Sequence, residues 1–366
     1  MINSVAIENF KNLRKIQIEL DRFTVFIGPN ASGKTSVLQA VDLAIRAAIK
    51  QEPREMFVYE LHCDWLYTRN GQGDLRISCG TDRGGVTVWA TPQNGPSSSP
   101  DSIGRANWDF SVSPSLPSDR CDALDTAQSC TFLRLSASQL SKPSYTDRVP
   151  PKVEADGEGL ASVLAYLALN DPDEFERLVE RLRELIPHLK RIRFKKVPIR
   201  RQEKELVRFG DDTVERTSVR PYQGEAMLFD FEHAANVAAH TVSEGTLLML
   251  GLLTVLLGPA RPQLLLLDDI EQGLHPLSQK RLVSVLGDIM QAFPSLQILA
   301  TSHSPYLLDF LQPDQVRLLS LDASGHAICG RLADHPKFEK WKDEMAPGEM
   351  WSLFGEKWLA EGGGPK

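Results

Sequence analysis

Gly28-Pro-Asn-Ala-Ser-Gly-Lys-Thr35 fits the pattern G-x-x-x-x-G-K-[ST], and its surroundings give that pattern physical content. The preceding Phe23-Thr-Val-Phe-Ile27 is apolar enough for a buried strand. A helical period then starts at Lys34, with Val37, Val41, Ala44 and Ala48 on one face and Leu38 and Ile45 beside them. Strand, glycine loop and helix in this order curl backbone N–H groups around a phosphate, with the positive end of the helix behind it. The spacing predicts a nucleotide held by Asn30, Ala31, Ser32, Gly33, Lys34, Thr35 and Ser36. Lys34 is expected at the β- and γ-phosphates and the Thr35 hydroxyl on Mg²⁺.

The second half narrows the chemistry. Leu264-Leu-Leu-Leu-Asp268-Asp269 is a continuous apolar run ending in two acids, as suits a strand buried on both faces of a parallel sheet. The acids emerge at its carboxyl end, where open α/β sheets bind ligands. Asp268 is placed to hold Mg²⁺ through water, and Asp269 to accept a proton from an attacking water. Ser243-Glu244-Gly245-Thr246 opens a long apolar helix; such a start serves as an N-cap or as an anion site. Leu296-Gln-Ile-Leu-Ala-Thr-Ser302-His303 is expected to be a strand ending in an exposed histidine, a candidate sensor of the γ-phosphate.

In this order the phosphate loop, Ser-Glu-Gly-Thr, Leu-Leu-Leu-Leu-Asp-Asp, Gly273-Leu274-His275-Pro276 and Thr-Ser-His-Ser-Pro305 resemble the ATP-binding-cassette (ABC) ATPases of the SMC, RecF and OLD group. The OLD-like branch is the most similar. The resemblance implies an α/β fold: an ABC-type ATPase head with a mixed central sheet flanked by helices, an antiparallel β lobe and a helical insertion. It implies ATP and Mg²⁺ as cofactors, and a first strand, Ile7-Glu-Asn-Phe-Lys11-Asn12, that runs into the nucleotide site. Glu271 follows the acid pair as in that group, and Gln139 is the candidate for its Mg²⁺-sensing glutamine. Ser243, Glu244 and Gly245 would act on the nucleotide of a partner subunit. Three positions depart from the pattern. Ala31 replaces a glycine, a mild change if its φ stays negative. Ile270 stands where proline is common, and Asp269, one methylene shorter than the usual glutamate, leaves room for slow turnover.

With 42% hydrophobic and 24% charged residues among 366, the composition is that of an ordinary globular protein. A net charge of -7 excludes a generally basic nucleic-acid coat, so any such contact needs a local patch. The five cysteines form no C-x-x-C pair and are expected to be reduced thiols. The opening residues lack the basic and apolar regions of a signal peptide. The longest apolar segment, Leu247–Leu257, falls well short of the roughly 20 residues that span a bilayer. A cytoplasmic protein without a membrane partner is expected.

Three parts are expected: residues 1–140, with the phosphate loop and a β lobe; 141–235, a lateral helical and basic insertion; and 236–366, completing the cassette. Within the first part, 91–120 is rich in serine and proline and is expected to be a flexible insertion. The one strongly basic stretch holds Lys190, Arg191, Arg193, Lys195, Lys196, Arg200 and Arg201. In a strand with Ile192 and Phe194 inward it is either a solvated face or a phosphate-contacting surface for DNA or RNA. Met350, Trp351, Leu353, Phe354 and Trp358 form a terminal apolar cluster, expected to pack back on the cassette or to dock a partner.

About a hundred residues separate Gln139 from Ser243, without the sustained heptads of an SMC arm. About sixty follow His303, without a TOPRIM metal set, so an associated nuclease is expected on a separate chain. The resulting expectation is an ATP-hydrolysing switch that forms a homodimer or a higher even oligomer. It would control a separate effector or nucleic acid in bacterial defence or repair. The rivals are a RecF-like ATPase acting directly on DNA, an ABC transporter subunit, and a scaffold that binds ATP without hydrolysing it.

Overall fold

The computed structural model describes residues 1–49, 66–68, 71–82, 84–92, 108–114, 129–209 and 212–360. They pack as two units: Met1–Phe132, Pro262–Glu271 and Leu286–Lys366 form the first, and Leu133–Arg261 with Gln272–Val285 the second. The boundary expected at residue 140 therefore comes at Leu133, and the helix that follows Ser243 belongs to the second unit.

The first unit opens with β1 (Ile2–Phe10), β2 (Leu13–Glu19), β3 (Phe23–Ile27) and α1 (Lys34–Ile49), followed by β4 (Leu75–Thr81), β5 (Gly84–Pro92) and β6 (Trp108–Pro114). An antiparallel sheet runs in the order β2-β1-β4-β5-β6. Its strands alternate as a half-buried sheet must: Leu13, Ile16 and Ile18 of β2 are buried, while Arg14, Lys15, Gln17 and Glu19 are exposed. Val37, Leu38, Val41 and Ala44 of α1 join the same core. The strand β6 corrects the expectation of a flexible insertion over 91–120. Trp108, Phe110 and Val112 alternate with polar residues, a period that the surrounding serines and prolines obscure. Apart from Thr91 and Pro92, which end β5, the rest of that segment, like Cys63 and Cys121, lies outside the described residues.

The chain continues through β7 (Cys130–Leu133) into α2 (Ala137–Leu140), α3 (Leu160–Asn170) and α4 (Pro172–Leu185). Asp171 caps α4, accepting from the Glu174 N–H at 3.1 Å with Pro172 in the first turn. The insertion is not helical throughout. After α4 comes a two-stranded hairpin, β8 (Leu189–Phe209) and β9 (Asp212–Phe231), paired from Leu189↔Phe231 to Phe209↔Asp212. At about 3.3 Å per residue each strand extends some 65–70 Å. Its base is tied to the unit's core: Ile192 is buried, and Phe194 meets Phe175 of α4 at 5.8 Å.

The basic stretch is partly neutralised there. Asp230, with its side chain buried, accepts from Arg193 at 2.6 Å, the Asn236 N–H at 2.8 Å and Arg191 at 2.8 Å. These bonds, that from Arg193 first, hold its carboxyl well below the usual range. Lys196 pairs with Glu225. Short β10 (Val237–Ala238) completes this sheet, and α5 (Glu244–Leu257), apolar nearly all round, is a core helix.

The chain then supplies β11 (Leu264–Leu267), α6 (Pro276–Ala292), β12 (Gln297–Ser302), α7 (Pro305–Leu308), β13 (Val316–Leu321), β14 (Ala327–Arg331), α8 (Phe338–Trp341), α9 (Pro347–Phe354) and α10 (Lys357–Ala360). The second sheet has the order β14-β13-β3-β12-β11-β7, with β3 parallel to both β12 and β13 and β11 parallel to β12. Every residue of β3, β11 and β12 is buried, and none of them is charged; β11 is an unbroken apolar run, while Thr24 of β3 and Gln297, Thr301 and Ser302 of β12 are buried polar residues. Gln297 joins the two sheets. Its amide accepts from the Ile2 N–H at 2.9 Å and donates to the Ile2 and Asp21 carbonyls at 2.6 and 3.1 Å.

Candidate nucleotide site

The carboxyl ends of β3, β11 and β12 converge in the first unit, and the side chains there form one hydrogen-bonded cluster. Asp268, buried at the end of β11, accepts on a single oxygen, Oδ1, from the Thr35 hydroxyl at 2.9 Å and the Thr301 hydroxyl at 2.7 Å. Thr301 Oγ1 also accepts from the Asp269 N–H at 2.8 Å. Asp269 is turned by a φ of 54°, which aspartate tolerates better than most residues. Its carboxylate lies 3.8 Å from His303 Nε2. Glu271 accepts from the His303 N–H at 2.5 Å, while its other oxygen is buried without a partner. Ile270 donates its N–H to the Thr301 carbonyl at 3.1 Å, a bond proline could not make.

The loop after β3 is equally constrained. Gly28 has a φ of 151°, and a Cβ there would lie 2.0 Å from the Leu319 carbonyl oxygen of β13. Lys34 is buried, and its ammonium donates to the carbonyls of Gly28 and Pro29 at 2.9 and 2.8 Å. Burial lowers its pKa, opposed by the charges of Asp269, Asp268, Glu271 and Glu356. Ser32 Oγ is buried without a hydrogen-bond partner. Asn12 donates to the Ala31 carbonyl at 3.0 Å, and Lys11 bonds Gln39 of α1, so the turn after β1 abuts the loop. Asn30 is exposed and Ser36 half-buried. Ala31 corrects the expectation of a negative φ: its φ is 62°, the left-handed region that its missing glycine would occupy freely.

The remaining candidates lie in the second unit. Ser243 caps α5, accepting from the Thr246 N–H at 3.3 Å, with its hydroxyl 2.8 Å from that of Thr246. Glu244 occupies the first turn. Gly245 has no room for a side chain, since a Cβ would lie 2.8 Å from the Gly273 carbonyl oxygen. Gln139, in α2, accepts from Lys142 Nζ at 2.7 Å. Of the basic residues, Arg191, Arg193 and Lys196 are engaged as described above, and the Lys190 carbonyl accepts from Arg183. Lys195, Arg200 and Arg201 are exposed.

A family model described as "AAA domain, putative AbiEii toxin, Type IV TA system" matches residues 122–309, just over half of the chain. The protein belongs to this AAA family. A second model, "AAA ATPase domain", matches residues 1–84 of this AAA protein. No curated protein matches it in sequence. Among solved structures, it is similar to an SMC head bound to the C-winged helix domain of ScpA. That pair is 14% identical with a TM-score of 0.57, covering 93% of this chain and 99% of that one. It is also similar to the SMC head with an extended coiled coil bound to the C-terminal domain of ScpA from Pyrococcus furiosus. There the identity is 11% and the TM-score 0.53, with 94% and 99% covered. At these identities the likeness shows the fold: the AAA protein is a P-loop ATPase domain with the architecture of an SMC head. Among the described residues, no helix is long and apolar enough to cross a membrane.

The strained alanine gives a direct test of the loop. An L-residue in the left-handed region costs about 1–2 kcal/mol, whereas glycine's extra freedom in the unfolded chain costs about 0.5–1 kcal/mol. Ala31→Gly is therefore expected to leave urea stability unchanged or raise it by up to about 1 kcal/mol. A loss larger than about 1 kcal/mol would contradict a left-handed Ala31.

Proposed function

We propose that the protein is an ATP-hydrolysing switch whose site is built from Lys34, Thr35, Asp268, Asp269, Glu271 and His303. The observation that carries this reading is the Thr35–Asp268–Thr301 cluster at the mouth of a glycine loop. The buried, unpartnered Ser32 Oγ and Glu271 Oε2 support it, because each lacks the polar partner that a hydrated metal–nucleotide would provide. Lys34, now bonded only to loop carbonyls, would turn to the β- and γ-phosphates, helped by the loop N–H groups. Thr35 and Asp268 would hold Mg²⁺, which when bound supplies positive charge across the same phosphates. Asp269 would accept the proton of the attacking water, steadied by the Thr301 hydroxyl on its N–H, and His303 would face the developing charge. With aspartate in place of glutamate the reach to water is shorter, and slow turnover follows.

Resemblance to the SMC, RecF and OLD group supports a two-fold dimer in which Ser243, Glu244 and Gly245 serve the partner's nucleotide, with Gln139 as a Mg²⁺ sensor. The same resemblance supports control of a separate effector in bacterial defence or repair. Lys34→Ala and Ser243→Arg are each expected to be inactive alone. Mixed and allowed to exchange, about half the dimers pair one of each and carry one intact site. ATPase activity should then recover to about a quarter of wild type. No recovery, with exchange verified by labelled chains, would mean that the serine does not act across a dimer.

A second reading, nucleic-acid contact through the hairpin, is favoured by Lys195, Arg200 and Arg201, three exposed cations on one strand of it. Changing Lys195, Arg200 and Arg201 to glutamate, while leaving the Asp230 partners intact, should abolish DNA or RNA binding measured by fluorescence anisotropy. Binding as tight as that of wild type would leave the hairpin a solvated face.

A further inference from the structure

Thr24 and Thr301 are both fully buried in the second sheet, and their hydroxyls serve different ends. Thr24, in β3, keeps its bonds local: Oγ1 accepts from the Asp21 N–H at 2.9 Å and donates to the Asp21 carbonyl at 3.2 Å. Thr301, in β12, turns its hydroxyl to the chain that leaves the neighbouring strand. Its proton goes to Asp268 Oδ1 at 2.7 Å, and a lone pair takes the Asp269 N–H at 2.8 Å. Its main-chain carbonyl accepts from the Ile270 N–H at 3.1 Å. Three consecutive residues after β11 are thus bonded to one residue of β12. The next hydroxyl along β12 reaches no acid: Ser302 Oγ accepts from the Ser304 N–H at 3.0 Å.

Thr301 also differs from Thr35, the other donor to Asp268. In the site proposed above Thr35 is a Mg²⁺ ligand, so its hydroxyl has a second task. Thr301 has no exposed surface and acts only through the residues it holds. Asp269 needs holding, because its φ of 54° is a conformation that residues with a Cβ disfavour. The side chains of Asp268 and Asp269 leave the chain in different directions, and one hydroxyl sets the carboxylate of the first against the backbone of the second.

We propose that Thr301 is a positioning residue for hydrolysis: its single hydroxyl ties the carboxylate that holds Mg²⁺, Asp268, to the backbone of the proposed base, Asp269, so that metal ligand and base are placed together. The inference rests on the nucleotide site proposed above and adds to it a residue that no nucleotide atom touches. Without the hydroxyl, the Ile270 bond and the strand remain, so the segment stays attached while its two acids lose their common reference. Nucleotide binding through the phosphate loop does not depend on it.

Three variants separate the hydroxyl from the packing around it. Thr301→Val keeps the shape and removes the hydroxyl, Thr301→Ser keeps the hydroxyl, and Thr24→Val removes a buried hydroxyl whose bonds stay on Asp21. Thr301→Val should lower kcat by about 10–100-fold, and the gain in ATP affinity on adding Mg²⁺ should shrink. Its affinity for metal-free ATP, measured by calorimetry, should stay within about twofold of wild type. Thr301→Ser should keep kcat within about threefold of wild type, and Thr24→Val should keep both kcat and the Mg²⁺ gain. In protein without nucleotide, hydrogen exchange at the Asp269 amide should be slow in wild type and Thr301→Ser and at least about tenfold faster in Thr301→Val. Wild type that binds or hydrolyses no ATP would overturn the proposed site and this role together. Wild-type turnover in Thr301→Val, an equal loss in Thr301→Ser or Thr24→Val, or rapid exchange of the Asp269 amide in wild type would overturn the positioning role alone.

Discussion

One carboxylate oxygen, Asp268 Oδ1, receives hydroxyl protons from two directions, and the architecture of the first unit serves that meeting. Thr35 reaches it from the first turn of α1, Thr301 from the fifth residue of β12, and Asp268 itself directly follows β11. The three elements can converge only because β3, β12 and β11 lie side by side and parallel, ending at one edge of the sheet. A buried carboxylate without donors is costly, so the two hydroxyls hold Asp268 in place and fix the heights of the three strand ends relative to one another. Thr301, its hydroxyl proton given to Asp268, accepts the Asp269 N–H on a lone pair, and the catalytic geometry proposed here descends from that one threonine.

The sheets around this point are joined by polar groups rather than by packing alone. Gln297 ties the start of β1 to the start of β12. Buried Arg317 donates to the Glu19 carbonyl at 2.8 Å and to Asp21 at 2.9 Å, joining β13 to the chain before β3. Such bonds are directional, so they specify the register of the antiparallel lobe against the parallel sheet more narrowly than leucines and valines could.

Much of this was legible in the sequence where burial leaves a one-dimensional trace. The strands β3, β11 and β12 are covered on both faces and appear as largely apolar runs without a charged residue; α1 and α4 carry their helical period, and Ser243 and Asp171 their caps. The strand β6 was hidden because serine and proline dominate the composition around it. The hairpin's length left no trace either: charged and polar residues crowd 200–215 in the sequence, and no regular apolar alternation marks a strand there. The partners of the basic residues were equally invisible, since Asp230 lies far along the chain from Arg191 and Arg193. The sign of φ at Ala31 is a product of tertiary structure, and no local pattern encodes it.

The central claim is that Lys34 stands in a nucleotide site, and equilibrium binding of Mg-ATP to wild type and Lys34→Ala tests it most directly. The account predicts saturable binding by wild type, and its loss in the variant, while the variant's cooperative thermal unfolding is retained. Equal affinity in the two proteins would contradict it.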